Sequence, residues 1–79
     1  MIEGRRIGPN RLRQIRKEQH ISQAALAVRS GVSEPTQVKI ELHDWIPSYA
    51  VQLRLAEALG VTITDIWPPA DDELVAVPA

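Results

Sequence analysis

The sequence predicts an all-α fold: five short helices in one compact domain with mobile termini. Three observations predict it. From Pro9 onward apolar residues recur at helical rather than strand spacing. Ser22, Ser33, Ser48 and Thr62 each stand immediately ahead of such a segment, where a side-chain oxygen can cap a helix start. No run alternates apolar and polar residues convincingly as a half-buried strand does. At 79 residues the chain fits one domain, near the lower limit for folding without disulfides or metals.

The first helix begins after Pro9, with Leu12, Ile15 and Gln19 on one stripe and Arg11, Arg13, Arg16 and Lys17 turned elsewhere. It ends at His20-Ile21. Ser22 caps a second helix, Gln23 to Ser30, in which Ala24, Leu26 and Ala27 are small or apolar. Gly31 supplies the positive φ that many helix C-termini require. Ser33 caps a third helix that ends near Leu42. Glu34 suits the positive end of its dipole, and Pro35 is tolerated because the first turn does not use its missing N–H. His43 to Pro47 form a connector, Ser48 caps a fourth helix ending at Leu59-Gly60, and Thr62 caps a fifth from Ile63 to Trp67. Pro68-Pro69 stop it.

Isolated helices shorter than about 12–15 residues are marginal in water, so the second and third must brace each other. A short Gly-containing joint between two such helices makes a helix-turn-helix. On this reading Ala27 lies where the two helices approach closely, Gly31 turns the chain, and Val32 and Ile40 pin the third helix to the core.

Composition narrows the function classes. There is no cysteine, which excludes disulfides and thiolate metal sites and fits a cytoplasmic location. No stretch is long and apolar enough for a membrane span. The net charge of −1 is unevenly distributed. Residues 1–40 carry eight basic and three acidic groups, whereas residues 41–79 carry one basic and seven acidic. Such asymmetry points to nucleic acid or to a solvated dipolar surface. Ile2-Glu3-Gly4-Arg5 has the form of a tag-removal protease site, so residues 1–8 are given no role in the fold. The domain is expected to span 9–67, followed by an acidic and apolar tail over 68–79.

An ordered set of phrases carries a family resemblance: Ser22-Gln23, Leu26-Ala27, Gly31-Val32-Ser33, Ile40-Glu41, Pro47-Ser48, Ala56-Glu57-Ala58-Leu59-Gly60-Val61 and Asp65-Ile66-Trp67. Their spacing over residues 12–67 resembles the Cro/C1-type (XRE) helix-turn-helix domains, five-helix lambda-repressor-like regulators that bind double-stranded DNA. The resemblance implies a third helix lying in the major groove, with Glu34, Pro35, Thr36 and Lys39 facing the bases. It implies a phosphate contact for Gln23, an ion pair between Arg16 and Glu41, and a homodimer formed near the fourth and fifth helices with Trp67 or the tail. Ser22, Ser33 and Arg13 complete the expected DNA-binding set.

The chemistry of these side chains fits such roles. The free N–H groups beside Ser22 and Gln23 attract phosphate. Lys39 can reach guanine O6 or N7, or a phosphate, and the Thr36 methyl can meet thymine. Glu34 either accepts from cytosine N4 or serves only as helix-start charge. Arg11 and Arg13 would flank the DNA backbone.

Other positions depart from the family pattern. Gln37 and Gln52 stand where aliphatic residues are usual, and a buried amide without a partner costs about 1–3 kcal/mol. The two are therefore expected to reach the surface or a hydrogen bond, with each other as one candidate pairing. His20 replaces a usual glycine, a position that histidine tolerates better than most residues. The connector is apolar and slightly acidic rather than basic. Core packing is expected for Trp45, while Leu42, Trp45 and Ile46 could instead meet a protein partner. That leaves a second function class, a protein-interaction module or an antitoxin. An enzyme is the least supported class, because no phosphate loop, paired carboxylate motif or metal-ligand spacing is present, and no cofactor is expected.

Overall fold

Local capping chemistry sets most of the helix starts. A computed structural model describes residues 10–69. Among them the order is α1 (Leu12–Glu18), α2 (Gln23–Ser30), α3 (Glu34–His43), α4 (Tyr49–Leu59) and α5 (Ile63–Ile66). The Ser22, Ser33 and Ser48 hydroxyls accept from the N–H groups of Ala25, Thr36 and Val51. Thr62 and Asp65 form a reciprocal capping box: Asp65 N–H donates to Thr62 Oγ1 and Thr62 N–H to Asp65 Oδ2. The Thr62 N–H, and after it the Thr62 hydroxyl, hold the Asp65 carboxyl below its usual range.

α1 starts at Leu12, later than Pro9, and has no side-chain cap at Arg11. Asn10 takes over that task. Its Oδ1 accepts from Leu12 N–H, and its Nδ2 donates to Ile40 O at 2.7 Å, tying α1 to α3. α2 and α4 end on Gly31 and Gly60, both with positive φ. His20 (φ 59°) adopts the left-handed conformation expected of it, and Asp44 (φ 51°) does the same after α3.

The core gathers one face of each helix. Leu12, Leu26, Ile40, Leu55 and Ile66 are fully buried, with Ile15, Ile21, Val32, Ala56 and Leu59 around them. Burying a leucine or isoleucine contributes about 1.5–3 kcal/mol, so these side chains hold together helices too short to persist alone. Val32 and Ile40 pin α3 as expected. Ala27 is half-buried and Ala24 exposed, whereas Leu26 and Ser30, one turn apart, are buried. The buried Ser30 hydroxyl donates to Leu26 O and accepts from Val32 N–H, bridging the turn.

Neither glutamine needs the other. Gln37 is 0% exposed, and its Nε2 donates to Gln23 O and Val32 O, clamping α3 to α2 and to the turn. Gln52 donates to Pro47 O at 2.9 Å. Gln19 leaves the apolar stripe and donates to Leu59 O. Trp67, the cap residue of α5, is half-buried and packs on the core. The expectations for residues 1–8 and for the tail beyond Pro69 lie outside the described residues.

Candidate nucleic-acid interface

α3 presents two chemically different faces. Gln37 and Ile40 are buried, while Ser33, Glu34, Pro35 and Lys39 are exposed and Thr36 is half-buried. The polar face is fixed at its start by a hydroxyl pair, since Ser33 Oγ donates to Thr36 Oγ1 at 3.0 Å. That bond occupies one acceptor position on Thr36 and leaves its own hydrogen to donate. Glu34 and Pro35 occupy the first turn, where Glu34 complements the helix dipole.

Behind α3 lies an ion pair that the sequence anticipates. Arg16 Nε donates to Glu41 Oε2 at 2.8 Å and Nη2 to Oε1 at 3.0 Å, a bidentate fork. Its Nη1 donates to Ile21 O. The side chains are 10% and 1% exposed, and the Glu41 hydrogen bonds raise the Arg16 pKa above its ordinary value. Glu41 also accepts from Gln23 Nε2 at 3.2 Å. The pair therefore orients Gln23 at the start of α2, and Gln23 Nε2 carries a second hydrogen besides the one given to Glu41.

The exposed charges on or just beside α1, α2 and α3 are Arg11, Arg13, Lys17, Arg29 and Lys39, against Glu18, Glu34 and Asp44. Lys39 is engaged from the far side: its Nζ lies 5.6 Å from the centre of the Trp45 ring. Trp45 is 46% exposed, contrary to the expected core packing. Its N–H donates to Lys39 O, and Asp44 turns the chain so that the indole lies along α3 instead of beneath it.

The expected residues thus fall on two adjoining places: Ser33, Glu34, Pro35, Thr36 and Lys39 along α3, and Ser22 and Gln23 at the start of α2. Arg13 sits on the exposed side of α1. Sequence reasoning missed Asn10, although an asparagine shortly before a helix is a capping signal. It also missed Ser30, whose role depends on burial.

Residues 10–66 match the family model described as a helix-turn-helix domain. The chain belongs to the helix-turn-helix family. This helix-turn-helix chain is 36% identical over 64 residues to an uncharacterized HTH-type transcriptional regulator of Methanocaldococcus jannaschii. The match covers 81% of the chain and 97% of that relative. No helix of the described residues is long and apolar enough to cross a membrane.

Proposed function

We propose that this chain is a sequence-specific, repressor-like regulator that binds double-stranded DNA, laying residues 33–42 in the major groove as a homodimer on a palindromic operator. The supporting observation is the α3 surface: a polar ridge of Ser33, Glu34, Pro35 and Lys39 exposed above a fully buried Gln37 and Ile40. A ridge seated this firmly enters a groove without a large ordering cost. The name of the archaeal relative is consistent with this reading.

In it, Gln23 and the backbone at Ser22 hold one phosphate, Arg13 approaches the neighbouring strand, and Thr36 and Lys39 read base edges. Glu34 either accepts from a cytosine amine or serves the helix start. A domain spanning residues 9–67 carries these roles. One α3 covers few base pairs, so two-fold pairing with half-sites about 34–36 Å apart supplies specificity.

Selection from random duplex DNA checks the reading, repeated with Lys39→Ala and Thr36→Ala. A two-fold symmetric motif should emerge. Thr36→Ala should relax it at one position, and Lys39→Ala should lower the salt slope by about one if it meets phosphate. No enriched motif, together with variants that behave like the parent, would remove the DNA reading. The second reading, a protein-interaction module, is favoured by the exposed Leu42, Trp45 and Ile46 and would then take its place.

A further inference from the structure

We propose that Trp45 is a positioning residue: its indole confines the Lys39 ammonium to one reach, so that Lys39 reads a single base pair. This rests on the DNA reading above and names the residue that sharpens it. Lys39 and Thr36 stand three places apart on α3, so both belong to its polar ridge. A lysine carries a compact charge on a flexible four-carbon stem, and left free it meets whichever acceptor lies nearby. Neighbours along the helix do not restrain this one. The places three and four away hold Pro35, Thr36, Leu42 and His43, none of them a carboxylate, and no ion pair joins Lys39 to another described residue.

The turn that ends α3 supplies the restraint instead. The Asp44 and Trp45 N–H groups both donate to Lys39 O, which folds the chain back on residue 39. Asp44 takes the left-handed conformation (φ 51°) at this reversal. The Trp45 ring centre then lies 5.6 Å from Lys39 Nζ, within range of the attraction between a cation and the negative face of an indole. An exposed contact of this kind favours the held position by about two- to fivefold over free ones.

Holding does not silence the charge. An ammonium carries three N–H groups, so Lys39 can still donate away from the ring. Guanine O6 and N7 are the acceptors that suit it in the major groove. The contact also gives a use to a tryptophan left 46% exposed, which its hydrophobicity alone does not explain.

Two measurements on the full chain test this, with circular dichroism as the folding control. In proton NMR without DNA, the indole ring current should displace the Lys39 ε-methylene signals upfield. Trp45→Leu should return them to the position of a free lysine, and Trp45→Phe should keep much of the displacement. In selection from random duplex DNA, the parent should enrich guanine at one position that Lys39→Ala relaxes. Trp45→Leu should lower the preference at that position alone, by about two- to fivefold, and Trp45→Phe should retain most of it. In the Lys39→Ala background, Trp45→Leu should change nothing further, whereas a merely structural role would add its own loss. Undisplaced Lys39 signals in the parent, or a folded Trp45→Leu chain that selects the parent's profile, would overturn the inference and leave the DNA reading standing. A parent that enriches no motif, with variants that behave like it, removes the DNA reading and this inference together.

Discussion

Replacing Glu41 by alanine tests the central claim about how α3 is held. Its carboxylate is 1% exposed and receives three hydrogen bonds, two from Arg16 and one from Gln23. Removing it leaves the Arg16 guanidinium buried with Ile21 O as its remaining acceptor. Breaking a buried pair in this way costs about 3–5 kcal/mol, because the desolvated charge has lost its partner. Chains of this length are stable by only about 4–12 kcal/mol in total. Urea unfolding followed by circular dichroism should therefore show a large share of the stability gone, with a melting temperature roughly 15–35 °C lower. Deprotonation offers Arg16 no escape, since a guanidinium stays protonated across the working pH range even without the Glu41 bonds that raise its pKa in the parent. A raised folded pKa stabilises below the unfolded value and is lost only at more alkaline pH, beyond the working range. The paired replacement Arg16→Met with Glu41→Leu should recover most of the loss, which separates unpaired charge from lost volume. A cost below about 1 kcal/mol for Glu41→Ala, the range of exposed pairs, would refute the reasoning.

Further outcomes follow from the same geometry. Gln37→Ala should cost about 2–4 kcal/mol in denaturant unfolding, through two lost carbonyl bonds and a core void. Gln37→Met, which also removes the unpartnered Oε1, should stay within about 1.5 kcal/mol of the parent. Gly31→Ala should destabilise by about 1–2 kcal/mol, all of it from the positive φ, since a Cβ there meets no atom within 4 Å. Asp65 has a lowered folded pKa, so its stabilising share is present above about pH 4 and lost as pH falls through the folded value. Asp65→Ala should accordingly show a shallower acid loss of melting temperature than the parent.

Much of the fold was legible locally. Ser22, Ser33, Ser48 and Thr62 were read as caps and accept the expected N–H groups, because a capping bond spans only three residues. Gly31, Gly60 and His20 were legible for the same reason: a positive φ is a property of one residue. The Arg16–Glu41 pair came from family resemblance, not from any local signal.

The amino-acid order by itself determined four of the five helix starts and the glycine stops, since each depends on near neighbours, while the polar ridge of α3 was implied by the family resemblance. Only the tertiary structure decided where Gln37 and Gln52 donate, how Asn10 braces α3, and that Trp45 lies outside over Lys39. Those outcomes depend on which backbone carbonyls and surfaces distant segments bring together once the core closes. A side chain's hydrophobicity does not reveal whether room for it remains inside.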